Sequence, residues 1–364
     1  MLSPRLLPLL LCVGGQAVLS SGTESTAALS FLTQPNAGAA FTGGFGGAGS
    51  AAKGKKAGSK KNTKKIKPNK RVSHESKVAF PDIISPEGRM AHIAQRIESA
   101  DFSSLAKLAL IGGLGSERTV LDIDPNAICV VDDFLGPGLL AAMKTEAESL
   151  LPTMVPSMST RWDDESQKVV AYEKHRVMST QIEGGAEGYA ASPRLVEYIV
   201  TLTQYLSRRL NSILPQSYHL SGQEQTNKLA VCLGDGSKYD KHIDNLGGGD
   251  GKGDRRKLTA LLYLQPPDSH VDNYPNEKAE DDPRGGYFRA FDVPEEGQLT
   301  PIAPKGDRLL LFWSDSLVHD VSPSYAPHGN ADQRWALTTW LLAKEGGTIK
   351  TTDSTIEDRH FGRG

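Results

Sequence analysis

With 364 residues, 38% of them hydrophobic, the chain can bury a sizeable core in one large or two ordinary domains. Its formal charge of -2 is unevenly spread: ten of the 41 Lys and Arg residues lie between Lys53 and Arg71, and from Ala79 onward 29 basic residues face 41 acidic ones. Only Cys12, Cys129 and Cys232 are present, which excludes a disulfide-built fold and a cysteine-based zinc site and leaves a single Cys129–Cys232 bridge open.

Residues 1–22 place one arginine ahead of an apolar stretch from Leu6 to Val18, followed by small residues. That is the layout of a secretory signal or targeting peptide, too short and too interrupted to span a bilayer. It favours the secretory pathway or an organelle, with nucleus or cytoplasm as the alternative. Residues 23–78, Gly/Ala-rich and then lysine-rich, read as a disordered linker, because such compositions bury too little apolar surface to offset chain entropy. The Lys53–Arg71 tail is the one segment suited to nucleic acid, and it has no interleaved aromatics. No other segment is apolar enough for a membrane span.

Order is expected from Ala79, with residues 79–227 forming a helical N-terminal part. Pro86 to about Ala100 reads as a helix with Met90, Ile93 and Ile97 on one side, "NAICVVDDFLG" as a buried strand and turn, and Gly138 to Leu151 as an amphipathic helix. Ser192 to Leu214 carries the clearest stripe, with Ser192 placed as N-cap, Pro193 in the first turn and Pro215 as the stop. From Lys228 the pattern changes to short strands between turns: "KLAVCLG", "KLTALLYLQ", "GYFRAFDV", "LTPIAP", "RLLLFWS", "HDVSPSY" and "RWALTTWLLA". Many short strands with Gly, Pro and Asp turns indicate a sandwich or barrel buttressed by helices.

The stretch "YDKHIDNLGGGDGKGDRR", Tyr239 to Arg256, poses the chemical question. A phosphate loop is excluded, because Leu246 occupies the first glycine's place and Gly253 replaces the hydroxyl residue after Lys252. A calcium loop lacks its alternating acids and closing glutamate. His242 and Asp244 share a face on an extended chain, with Ile243 opposite. A third ligand must come from elsewhere, and His319, just beyond "RLLLFWS", is better placed than His270, His328 or His360. Two imidazoles and a carboxylate suit non-haem Fe(II) and oxygen chemistry. Arg334, between hydrophobic strand residues, would be costly without an anionic partner, and Tyr263 offers a hydroxyl from a neighbouring strand.

These segments, with "RGGYFRAF" and "VHDVSPSYA", resemble the catalytic domain of Fe(II)/2-oxoglutarate oxygenases of the prolyl 4-hydroxylase group, the hypoxia-inducible-factor prolyl hydroxylases above all. The resemblance runs from about Leu229 to Leu342, within a domain bounded as 228–345 ahead of a tail at 346–364, and more weakly back to Ile128. It implies an α+β fold with a double-stranded β-helix (jelly roll) core. It implies Fe(II) on His242, Asp244 and His319, the 2-oxoglutarate 5-carboxylate on Arg334, and a co-substrate pocket lined by Tyr263, Thr338 and Trp340. It further implies O2 as the other substrate, ascorbate keeping the iron ferrous, a proline-containing peptide or protein as partner, and Arg256 at the mouth of the site as a substrate contact. Leu233 stands where the resembling enzymes carry a co-substrate tyrosine, and the loops around the entrance are longer. Hydroxylation of another residue or of a small molecule, and a catalytically inactive binding module, are the competing readings. The intact set of His242, Asp244, His319 and Arg334 weighs against the latter.

Overall fold

The computed structural model describes residues 84–344 except 112–119, 125, 164, 167, 246–253, 267–281 and 292–300. The targeting peptide, the linker, the glycine run, most of the acidic loop after Gln265 and the tail lie outside the described residues.

Three long helices form one layer: α1 (Pro86–Ser99), α2 (Pro137–Ser149) and α4 (Pro193–Asn211), with a short α3 (Gly185–Ala191) leading into α4. Their apolar stripes, including Ile93, Ile97, Leu139, Met143, Leu195, Ile199, Leu202 and Leu206, merge into a single core with one face of a sheet. That sheet has seven antiparallel strands in the order β3-β10-β8-β12-β6-β5-β4, formed by β3 (Ile128–Val131), β4 (Val155–Asp163), β5 (Lys168–Thr180), β6 (Leu220–Cys232), β8 (Arg256–Tyr263), β10 (Leu309–Trp313) and β12 (Arg334–Ala343). A second sheet, β7-β11-β9, is made of β7 (Ser237–His242), β9 (Phe288–Phe291) and β11 (Val318–Ser324). A separate two-stranded ribbon pairs β1 (Leu108–Ile111) with β2 (Val120–Ile123). Phe288 of β9 meets Phe312 of β10 at 5.2 Å, so the small sheet faces the large one across a second apolar cluster. Two facing antiparallel sheets with helices on the outer face are the double-stranded β-helix expected from the sequence.

Several expectations change. The segment 79–227 is not helical throughout, because it also supplies β4, β5 and the first half of β6. Those strands escape pattern reading because buried, half-buried and exposed residues mix along them without apolar alternation, and because β5 is interrupted: Arg176 has φ 51° and the register with β4 shifts there. "LTPIAP" is not a strand among the described residues; Ile302 makes only an isolated bridge to Phe288. Ser192 precedes α4 without capping it, since its hydroxyl donates back to the Gly188 carbonyl. The α4 N–H groups of Arg194 and Leu195 donate instead to the Glu146 carboxylate of α2, which joins two helices through one helix end. Cys129 and Cys232 are both buried free thiols, so the bridge left open is absent.

Candidate active site

The β7 and β11 strands run antiparallel with His242 directly opposite His319. Directly paired residues project to the same face, so the two imidazoles come together with ring centroids 4.4 Å apart. The Nδ1 atoms face backbone carbonyls, Asp240 O at 2.7 Å for His242 and Leu317 O at 3.0 Å for His319. Each Nδ1 therefore carries the proton, and each Nε2 presents a bare lone pair inward. Asp244 follows just beyond the end of β7, with Ile243 turned into the core between them (4% exposed).

The two oxygens of Asp244 have divided tasks. Oδ2 accepts hydrogen bonds from Thr259 Oγ1 (2.8 Å) and Trp340 Nε1 (2.9 Å), while Oδ1 lies 3.5 Å from His242 Nε2 and 3.9 Å from His319 Nε2. One ligand atom from each of His242, Asp244 and His319 falls within 4.8 Å of the others. Burial works against the charge of Asp244, but the two imidazoles and Trp340 outweigh it and hold the carboxyl well below its usual range. Burial, reinforced by His242, pushes His319 down to about 4, so at neutral pH it is an unprotonated ligand. The donor set suits a divalent transition metal with open positions, and Fe(II) fits it.

Asn245, fully buried, anchors the chain behind the site. Its side-chain amide donates to the carbonyls of Asp254 and Arg256, both at 2.7 Å, and its N–H donates to Ser314 O. Asp254 and Arg256 are thereby tied to the residue next to Asp244.

The floor is β12. Arg334, Ala336, Thr338 and Trp340 alternate onto one face, with Tyr263 opposite Ala336 and Thr259 opposite Trp340 on β8. Arg334 is 3% exposed and has no carboxylate partner among the described residues; its Nη2 donates to the Tyr263 hydroxyl at 3.4 Å, and its Nε is buried without a partner. Gly286, at φ +75°, makes room for it, since a Cβ there would lie 3.0 Å from Arg334 Cδ. A buried guanidinium with an orphaned N–H, on the same floor as a metal triad, is a fitting receptor for the far carboxylate of a metal-bound diacid. Thr338 and Trp340 are each 8% exposed, Thr338 lying between these two ends on β12 and Trp340 at the triad end. Arg256 stacks over Trp340 at 5.1 Å but is tied to Asp254, its Nε donating at 2.6 Å.

The sequence pattern passed over Thr259 and two lysines. Thr259 was legible in principle, since it shares the β8 face of Tyr263 four residues earlier. Lys174, 6% exposed, comes from the irregular part of β5, and Lys228 lies directly opposite Thr338 on β6. Burial, then the charge of Lys228, pushes Lys174 down to about 7.

Comparison with known proteins agrees with this geometry. Residues 228–342 match the family described as the 2OG-Fe(II) oxygenase superfamily. This stretch is a 2OG-Fe(II) oxygenase domain. The superfamily uses Fe(II) and 2-oxoglutarate. Among curated relatives, Egl nine homolog 1 of Rattus norvegicus is 31% identical over 234 residues, covering 63% of this chain and 59% of that protein. Prolyl hydroxylase EGLN3 of Homo sapiens is 32% identical over 170 residues, covering 46% and 58%. The chain thus spans less than two thirds of the curated relatives it matches. A solved prolyl hydroxylase from Trichoplax adhaerens, in complex with a hypoxia inducible factor oxygen degradation domain peptide fragment, is 27% identical with a TM-score of 0.41, covering 60% of this chain and 84% of that one.

Proposed function

We propose that the protein is an Fe(II)- and 2-oxoglutarate-dependent dioxygenase that hydroxylates prolyl residues of a peptide or protein, with oxidative decarboxylation of 2-oxoglutarate to succinate and CO2. The observation that carries this reading is the pairing of the His242, Asp244 and His319 cluster with a buried Arg334 that has no carboxylate partner among the described residues. The names of the relatives, prolyl hydroxylases among them, support prolyl substrates over other residues or small molecules.

When bound by the triad, Fe(II) supplies activation of O2 and oxidation of the co-substrate. The chain's own residues supply geometry. The carbonyls of Asp240 and Leu317 fix both histidine tautomers, Thr259 and Trp340 orient Asp244, and Phe288 and Phe312 pack His319 at 5.1 and 4.7 Å, keeping water from that side of the site. Arg334 and Tyr263 orient the co-substrate by its 5-carboxylate, and Thr338 lines its flank. Leu233 packs against the helix-side core rather than into this pocket, and Arg334 and Tyr263 are the polar anchors at that end. Arg256, stacked on Trp340, is positioned to meet the entering substrate.

The test is succinate formation from 2-oxoglutarate with Fe(II), O2, ascorbate and a proline-containing peptide, with mass spectrometry of the peptide. Gain of one oxygen on proline, absent in His242→Ala, is the expected result. An unmodified peptide with no succinate from the parent protein would overturn the assignment.

A further inference from the structure

We infer that Lys174 and Lys228 form a second anion receptor beside the co-substrate floor, and that it takes a carboxylate of the substrate, such as an Asp or Glu side chain close to the target carbon. The inference rests on the proposed function for the substrate's identity, but not for the receptor itself.

Among the described residues, neither amine has a hydrogen-bond or ion-pair partner; both instead lie against aromatic faces. Lys174 Nζ is 3.9 Å from the Tyr239 ring centre, and Lys228 Nζ is 5.7 Å from both the Tyr239 and Trp340 rings. Tyr239 stacks toward His242 at 6.4 Å, so the pair flanks the metal triad. Lys174 reaches this place through an irregularity in β5. Alternation breaks at His175 and Arg176, both exposed, and the positive φ of Arg176 lets Lys174 and Val177 turn inward alike. The chain's geometry thus delivers a cation into the space between the sheets, where burying an uncompensated charge is unfavourable.

Position separates this receptor from the co-substrate anchor. Arg334 and Trp340 mark the two ends of one strand's floor, and a diacid reaching from the triad to Arg334 lies along β12. Lys228 belongs to β6 and Lys174 to β5, one and two strands away, roughly 5 and 10 Å to the side. That side is also the sheet edge, where Val155, Met158 and Thr160 of β4 are exposed, a direction from which a polypeptide can approach. Arg256, also near Trp340, is already neutralised by Asp254, so the free positive charge lies with the lysines. Asp244 and Asp240 favour the charged form of Lys174, and Asp244 that of Lys228, but burial outweighs them, and Asp244 is committed to the metal position. A ligand carboxylate placed between two ammonium groups would supply the missing counter-charge through short, charge-assisted bonds.

The experiment uses protein loaded with Fe(II) and 2-oxoglutarate under anaerobic conditions. Calorimetric titration compares N-acetylaspartate with N-acetylasparagine. Fluorescence anisotropy compares labelled proline peptides that differ only by Asp or Asn at each neighbouring position in turn. The expected result is a preference for the acidic member of about tenfold or more. It is lost in Lys174→Met and in Lys228→Met, retained in Lys228→Arg, and accompanied by 2-oxoglutarate affinity within about twofold of the parent; thermal melting confirms that the variants fold. No preference in the parent, an unchanged preference in both Met variants, or loss of 2-oxoglutarate affinity in them overturns the inference. If no proline peptide binds while N-acetylaspartate retains its preference, the receptor stands and the prolyl assignment falls.

Discussion

The two faces of the seven-stranded sheet treat buried charge in opposite ways. On the helix-covered side the buried Lys257 and Arg89 each have a carboxylate. Lys257 pairs with Asp315 at 2.6 Å with both side chains 1% exposed, Arg89 pairs with Glu197 at 2.6 Å, and Glu146 closes the α4 N-terminus while holding Arg194 at 2.8 Å. On the side facing the small sheet the buried Arg334 and Lys174 and the half-buried Lys228 have none among the described residues. The first face supplies these counter-charges from within the chain. The second is completed only by ligands, which is how a binding site differs from a core.

The comparison is broken most forcibly on the paired side. Asp315→Ala leaves Lys257 buried without its partner among Tyr218 and Trp313 and is expected to destabilise the fold by about 3–5 kcal/mol, read from urea unfolding. A loss below about 1 kcal/mol would mean that this pair contributes no more than a surface one.

On the other side the effect moves from stability to binding. Arg334→Met is expected to leave unfolding within about 1 kcal/mol and to weaken 2-oxoglutarate binding by about 2–3 kcal/mol, roughly 30- to 150-fold, measured by calorimetry. Equal damage to stability and binding would contradict the division of roles.

Lys174→Met should stabilise the ligand-free protein. The folded amine titrates near 7 and the unfolded one near 10.5, so between those values the unfolded chain binds more protons and stability rises with pH. Below pH 7 both states are protonated, and the full burial penalty acts against the fold. Replacement by Met is therefore expected to gain about 2 kcal/mol at pH 6, with the gain shrinking steadily from pH 7 to pH 10 in thermal melts. A variant no more stable than the parent at pH 6 would show that Lys174 is solvated or paired. Smallest is Thr259→Val, which removes one of two hydrogen bonds to Asp244 Oδ2 and is expected to weaken Fe(II) binding about tenfold in a competition titration.

What the sequence made legible follows the same division. "HID", "VHD" and "RWALTTW" could be read because strand alternation assigns side chains to faces, and because a buried arginine in an apolar strand calls for an anion. Short apolar strands between turn clusters indicated a sandwich or barrel, and the family resemblance narrowed this to the jelly-roll core. Lys174 was hidden because its inward orientation depends on a positive φ at Arg176, which is not a residue type that announces one, and on a partly exposed strand with no apolar alternation; Lys228 faces inward only through its pairing with Thr338 across two strands. The Glu146 cap was hidden for a related reason: it joins residues far apart in sequence, while capping rules look within one helix.

The central claim, that His242, Asp244, His319 and Arg334 work as one site, is tested most directly by counting products. Succinate and hydroxyproline are measured together with Fe(II), 2-oxoglutarate and a proline peptide. The account predicts that they form in equal amounts with the parent protein and that both disappear in Asp244→Ala and in Arg334→Met. Undiminished succinate and hydroxyproline in either variant would contradict it.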